Sequence, residues 1–170
     1  MKLVKFNDPI LKQKAEEFDF SNPPSEPMEF SFNLADTMMK LKGFSLCAQQ
    51  VGLPYSVFVV GNPEDKDSVM AVFNPLIVDY GDETEYAEES SLTFPGLFIK
   101  IKRSKKIRVR YTTANGQRTT QTLDGLTARL FQQQYDHLQG CLYTSVATRY
   151  HREQAMKQKK KLDKERLLNA

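Results

Sequence analysis

The sequence predicts an α+β fold, in which a central helix lies among antiparallel β-sheets and a further helix closes the chain. Apolar residues recur at helical spacing in two stretches, one near the N-terminus and one in the last third of the chain. Between them, short apolar runs are separated by Gly, Pro and Asn turn signals, which is typical of antiparallel strands. The chain of 170 residues suits a single hydrophobic core.

The first predicted helix covers residues 29–42. One face of this segment is apolar and is formed by Phe30, Leu34, Met38 and Leu41. Gly43 follows as a stop signal, and the proline-rich residues 21–27 before the helix form a connector. We therefore expect the helix to pack on the core through its apolar face.

The middle of the chain is predicted to form strands. Short β-type runs, separated by turn residues, lie at 57–60, 69–73, 76–80, 97–101 and 107–111. Asn115 and Gly116 are a strong signal for a two-residue hairpin, and a polar return strand is expected at 119–123.

Two helices are predicted after these strands. The first covers residues 126–139 and ends at Gly140, with a core face formed by Leu126, Leu130 and Leu138. A final helical stretch runs from about residue 144 to residue 168.

Charge is distributed unevenly along the chain. Residues 149–170 carry eight Lys or Arg against three Asp or Glu, whereas residues 1–148 carry sixteen against eighteen. We therefore separate a near-neutral domain at 1–148 from a basic C-terminal helix at 149–170. The charge of that helix favours an anionic partner.

The composition excludes several classes of protein. Cys47 and Cys141 are the two cysteines, too few for a disulfide framework in a domain of this size. No apolar run reaches the length of about 18 residues that a membrane helix needs. Asp8 and Pro9 interrupt the N-terminal segment, so it does not form the apolar block of a signal peptide. We expect a cytoplasmic protein.

The second predicted helix places positions 133 and 137 on one face, because they are four residues apart. In metallohydrolases this spacing holds two histidines on one metal ion, with a glutamate after the first as general base. Here the corresponding residues are Gln133, Gln134 and His137. Taken alone, a single histidine near a helix end is more often a packing or capping residue than a ligand.

Three short segments together give this helix a context. Residues 43–50 read Gly-Phe-Ser-Leu-Cys-Ala-Gln-Gln, residues 89–93 read Glu-Ser-Ser-Leu-Thr, and residues 131–140 read Phe-Gln-Gln-Gln-Tyr-Asp-His-Leu-Gln-Gly. In order and spacing they resemble the three motifs of peptide deformylases, which are Gly-x-Gly-x-Ala-Ala-x-Gln, Glu-Gly-Cys-Leu-Ser and Gln-His-Glu-x-Asp-His-Leu-x-Gly. The resemblance covers about residues 1–150 and implies the fold of that family.

The resemblance also implies roles for individual positions. Deformylases remove the formyl group from N-formylmethionine on new polypeptides, with Fe²⁺ or a similar ion held by one cysteine and two histidines. The matching ligand positions here are Ser91, Gln133 and His137, and the catalytic glutamate matches Gln134. His137 alone among these four keeps the family residue.

These replacements predict a protein with no metal cofactor and no deformylase activity. A serine hydroxyl stays protonated, and a glutamine carbonyl is a weak neutral ligand, so both bind Fe²⁺ or Zn²⁺ poorly. Without an ion, no hydroxide is supplied near neutral pH, and the amide of Gln134 cannot accept a proton. A repurposed pair of Ser91 and His137 is the alternative in which an altered site hydrolyses a substrate.

Part of the family's peptide groove is expected to survive. Gln50 matches the glutamine that binds the formyl oxygen, and the backbone amide of Leu92 matches its companion donor. Ser45 replaces a motif glycine and adds a side chain beside the substrate. The remaining groove positions are Phe44, Arg129 and Leu130, and a structural ion pair is expected between Glu89 and Arg103.

The basic helix has two interpretations. In deformylases a basic C-terminal helix docks on ribosomal RNA, and the matching side chains here are Lys157, Lys159, Lys160, Lys161, Lys164 and Arg166. The alternative is a solvated helix with no partner.

Three functional hypotheses follow. The first is a non-catalytic deformylase homologue that binds ribosomes or formyl-Met nascent chains. The second is a structural or assembly protein that reuses the fold, for example in a bacteriophage, since deformylase genes also occur in phages. The third is an active deformylase or related hydrolase with an altered site.

Overall fold

The structure, a computed structural model, describes residues 1–168. One layer of the fold is an antiparallel sheet of five strands: β1 (Ser45–Cys47), β2 (Val57–Val60), β3 (Met70–Tyr80), β6 (Lys106–Thr112) and β7 (Arg118–Asp124). Their order across the sheet is β1-β2-β3-β6-β7.

A second sheet consists of one long hairpin. It pairs β4 (Thr84–Ser91) with β5 (Phe94–Ser104) in antiparallel register. Alternate residues of β5 are buried, because successive side chains of a strand point to opposite faces. The apolar ones among them, which pack beneath the C-terminal part of the chain, are Leu97, Ile99 and Ile101.

Four α-helices accompany the sheets: α1 (Pro27–Lys40), α2 (Gly125–Leu138), α3 (Tyr143–Val146) and α4 (Arg149–Leu168). α2 contacts strands of both sheets, and its Phe131 ring packs against Phe58 at a centroid distance of 5.0 Å. α4 packs along β5 and buries Ala155 there. The predicted α+β architecture with a central helix and a C-terminal helix is confirmed.

Three elements differ from the prediction. The expected break between 69–73 and 76–80 is a bulge inside the single strand β3. At this bulge Asn74 has a φ of 48°, and its side chain hydrogen-bonds the backbone N–H and C=O of Phe18, which holds the irregular residue in place. Strand β4 was not predicted, because its sequence is rich in glutamate. The expected single helix at 144–168 is interrupted at Ala147, whose backbone is extended.

None of the helices in residues 1–168 combines the length and the apolar character needed to span a lipid bilayer.

Candidate functional site

The polar residues of α2 lie in the interior, where the helix passes between the two sheets. Gln133, Gln134 and His137 are all buried, and His137 is fully inaccessible to solvent. Burial of polar groups costs free energy unless they find hydrogen-bond partners. The partners of these three side chains therefore define what the site can do.

Gln134 reaches across to β1. Its Nε2 donates a hydrogen bond of 2.8 Å to Oγ of Ser45, while its Oε1 is buried without a hydrogen-bond partner among the described residues. Both residues depart from the motifs quoted above, and they contact each other directly. The sequence did not indicate this contact, since the two residues are 89 positions apart.

Gln133 is directed at the end of β4. Its Nε2 donates to the backbone carbonyl of Ser90 at 3.1 Å and to Oε2 of Glu89 at 3.3 Å. The side-chain amide is thus held in place by the hairpin.

Ser91 and Gln50 form a further connected pair. Nε2 of Gln50 donates to Oγ1 of Thr93 at 2.9 Å and to Oγ of Ser91 at 3.3 Å, and Oε1 of Gln50 accepts from the backbone N–H of Cys47 at 3.0 Å. Ser91 Oγ also accepts from the N–H of Thr93. Both ends of the Gln50 amide are therefore engaged within the protein. The sequence analysis did not foresee the contribution of Thr93.

His137 is neutral at physiological pH. Burial lowers the pKa of its imidazole from 6.5 to about 4, because the charged form loses its hydration. Neither ring nitrogen has a hydrogen-bond partner within residues 1–168. The ring is thus an unpaired, uncharged base at the bottom of the site.

A cluster of buried charged side chains lies next to the site and is centred on Glu89. Glu89 accepts from Nε and a terminal nitrogen of Arg103 at 2.9 and 3.1 Å, and from Arg129 at 2.9 Å. Arg129 also donates to the backbone carbonyls of Glu85 and Ile101, and Arg103 also pairs with Asp136. Burial alone would lower the pKa of Arg103, but the hydrogen bond and charge of Glu89 outweigh it and raise that pKa. The expected contact between Glu89 and Arg103 is therefore present, and Arg129 is a second cation on the same carboxylate.

A groove of about 410 Å³ opens between α2, the loop before β1 and the β4–β5 hairpin. Five predicted groove residues line it, namely Phe44, Ser45, Leu92, Arg129 and Leu130. Additional apolar walls come from Pro95, Phe98 and Leu126. Gln50 and His137 lie beneath the groove and do not line it. The volume of the groove and its mixture of apolar and polar lining residues are typical of a small-ligand pocket.

The donor set of the site does not fit a transition metal. Ser91, Gln133 and His137 offer one imidazole and two neutral oxygens, whereas Fe²⁺ and Zn²⁺ sites use thiolate, imidazole or carboxylate. Within residues 1–168, no three His, Cys, Asp or Glu side chains are grouped in a way that would hold an ion. The Nε2 groups of Gln133 and Gln134 donate to protein acceptors, whereas Oε1 of Gln134 has no partner among the described residues.

Comparison with known proteins gives consistent matches. A family model described as polypeptide deformylase matches residues 1–153. The chain is 39% identical over 140 residues to the peptide deformylase of Thermotoga petrophila, which covers 81% of this chain and 80% of the relative. The crystal structure of peptide deformylase from Thermotoga maritima has a TM-score of 0.76 and 34% identity, with 86% of this chain and 97% of that chain covered. That of peptide deformylase from Plasmodium falciparum has a TM-score of 0.83 and 28% identity, with 96% of each chain covered.

Proposed function

Given that this chain belongs to the polypeptide deformylase family, we propose that it is a member without deformylase activity that binds peptide N-termini in the groove beside α2. One observation carries the proposal: the groove is open, whereas the reactive positions hold two amides and a hydroxyl with internal hydrogen bonds, together with one buried imidazole that has no partner among the described residues. Binding is thereby separated from chemistry.

The proposed absence of catalysis rests on the chemistry of the side chains. Deformylation needs a water molecule made nucleophilic and a group that accepts its proton. Gln134 has no basic atom, and its Nε2 donates to Ser45. The neutral ring of His137 is a base, but it lies beneath the groove and not in its lining. We assign no residue of this site a catalytic role.

The groove supports an extended peptide whose first side chain is apolar and flexible. Phe44, Leu92 and Leu126 provide apolar lining. Methionine suits such walls because its unbranched thioether adapts to irregular apolar surfaces. Recognition of a formyl oxygen by Gln50 would require one of its two hydrogen bonds, to Ser91 or to Thr93, to open. We therefore expect weak discrimination between formylated and free N-termini.

Leu126→Ala tests the groove, because this residue lines it and is 60% exposed, so that its loss does not disturb the core. We expect the affinity for formyl-Met-Ala-Ser, measured by isothermal titration calorimetry, to fall about tenfold through lost apolar contact. Leu76→Ala is the matched control, since Leu76 is 46% exposed and lies outside the groove. It should change affinity less than twofold. If wild-type protein bound neither formylated nor free peptide, the groove proposal would fail and a structural or assembly role would take its place.

The basic helix is the second part of the proposal. Of the cations predicted to contact RNA, Lys159 is half-buried, and those exposed are Lys157, Lys160, Lys161, Lys164 and Arg166. Arg149 and Arg152 are exposed on the same helix. Three acidic residues moderate this charge, because Glu153 pairs with Arg149 at 2.7 Å, Asp163 pairs with Lys159 at 2.9 Å and Glu165 lies 3.9 Å from Lys161. We propose that the exposed cations contact ribosomal RNA.

Charge reversal tests this contact better than truncation, because α4 covers the apolar face of β5. Lys161→Glu combined with Lys164→Glu should weaken co-sedimentation with ribosomes at least tenfold, and wild-type binding should fall steeply with added salt through counterion release. Lys12→Glu combined with Lys14→Glu makes the same charge change at exposed residues far from α4 in sequence and should have little effect. Equal losses in both double variants, or salt-insensitive binding, would leave α4 as a solvated helix.

A further inference from the structure

A second cavity, of about 750 Å³, lies where α4 crosses the start of β5. Its apolar lining is formed by Phe6, Phe94, Pro95, Leu97 and Met156. Of these, Pro95 alone also lines the peptide groove. The cavity is therefore a separate site. Thr93 is the one residue of the three sequence motifs that lines it.

The floor of this cavity is held in place by aromatic packing. Phe94 lies between Phe6 and Tyr143, with ring centroids 6.1 and 5.8 Å away. The buried hydroxyl of Tyr143 donates to the backbone carbonyl of Leu97 at 2.9 Å, which fixes the ring against β5. Phe6 and Met156 nevertheless leave about half of their surface to solvent, at 62% and 45% exposed. Apolar surface is thus presented on a preformed support.

The rim of the cavity is basic. The cations that line it are Arg152, Lys157, Lys159 and Lys160. The one acidic lining residue, Glu153, is already paired with Arg149 at 2.7 Å, and Lys159 is paired with Asp163. Within residues 1–168, no carboxylate lies at ion-pair distance from Lys157 or Lys160. These two ammonium groups are therefore available to a ligand's negative charge.

The length of the rim limits the size of the ligand. Lining residues of α4 extend from Arg152 to Lys160, which spans about 12 Å at 1.5 Å per residue. An extended hydrocarbon chain of roughly ten carbons has this length, given C–C bonds of about 1.5 Å. A partner helix would have only about two turns in the cavity, whereas isolated helices become stable only near 12–15 residues. A small amphiphile suits the site better than a peptide helix.

We propose that this cavity binds a medium-chain carboxylate, with its unbranched apolar tail on Phe6, Phe94 and Met156 and its carboxylate between Lys157 and Lys160. The apolar lining with few polar groups at one edge is the usual arrangement of small-molecule sites. Each buried methylene adds to affinity, and the lysines select the sign of the head group.

Calorimetric titration of the full chain with sodium decanoate tests the proposal. We expect saturable binding at one site per chain, at least tenfold weaker binding of hexanoate, and no binding of decyltrimethylammonium, which has the same tail and the opposite charge. Lys157→Gln combined with Lys160→Gln should weaken decanoate binding at least tenfold. Both lysines are exposed, so the fold should be retained, which circular dichroism would verify.

The matched control is Lys161→Gln combined with Lys164→Gln, which removes the same charge from the same helix outside the cavity. It should alter decanoate affinity less than twofold. The proposal is overturned if decanoate shows no saturable binding, if the two double variants weaken it equally, or if the cationic amphiphile binds as well. Displacement of decanoate by formyl-Met-Ala-Ser would also overturn it, because the ligand would then lie in the peptide groove.

Discussion

Replacing Ser91 by Cys, Gln133 by His and Gln134 by Glu in one chain is expected to give a protein that binds a metal ion and removes the formyl group from a formyl-Met peptide. The three changes restore a thiolate, a second imidazole and a general base at positions that the fold already orders. The base alone contributes on the order of a hundredfold or more to such a reaction. Release of formate from a formyl-Met peptide should therefore rise at least that far above the wild-type background.

The structure provides support for the restored ligands. The backbone carbonyl of Ser90 accepts from Nε2 of Gln133, and a histidine N–H at this position would have the same acceptor, which orients a metal-bound imidazole. Ser45 contacts position 134, so Ser45→Gly should raise the activity of the triple variant further.

Each single replacement should do almost nothing, because the metal needs all of its ligands and the base acts only after the metal is bound. The matched control carries Ala at position 91 together with His at 133 and Glu at 134, and it should bind no metal by elemental analysis. If the triple variant takes up one ion per chain and stays inert, the groove itself has diverged from substrate binding.

The single replacement Glu89→Gln should cause a large loss of stability, well beyond that of the same replacement at an exposed glutamate. The carboxylate holds two buried guanidinium groups, on Arg103 and Arg129, whose side chains are each 7% exposed. Removing one partner of a buried pair costs about 3–5 kcal/mol. We expect the lower end of this range, because Arg103 keeps Asp136 and Arg129 keeps Glu85 at 3.8 Å. Chemical denaturation should show this loss in the free energy of unfolding. Thermal unfolding should show a fall in Tm on the order of 10 °C.

Glu83→Gln is the matched control for this variant. Glu83 pairs with Lys105 at 3.0 Å, but both side chains are largely in solvent, and such exposed pairs contribute little to stability. A Glu89→Gln protein as stable as the Glu83→Gln protein would show that the buried cluster does not support the site.

Much of the fold was accessible from the sequence because local patterns carry it. The apolar run at Val57–Val60 predicted β2 with its bounds, and the helical spacing of apolar residues predicted α2. Strand β4 has no such pattern, since it is half-exposed and its main buried side chain is the charged Glu89. This segment is a strand because it pairs with β5, and its own composition does not indicate that.

Part of the site could likewise be predicted from local sequence, and part depends on tertiary packing. The three motifs identified Ser91, Gln133 and Gln134 because these residues sit in recognisable local sequences. Two contacts join elements that are distant in the chain: one between Gln134 and Ser45, and one between Glu89 and Arg129. Only the packing of α2 against β1 and the β4–β5 hairpin brings them together.

The wild-type chain is proposed to bind peptide N-termini without hydrolysing them. The most direct test is the rate of formate release from formyl-Met-Ala-Ser by wild-type protein, with Fe²⁺ or Ni²⁺ supplied under reducing conditions and a Thermotoga deformylase as positive control. We predict no rate above that of the peptide with metal alone. Turnover that increases in proportion to the concentration of wild-type protein would contradict the claim and show that the altered site is an active one.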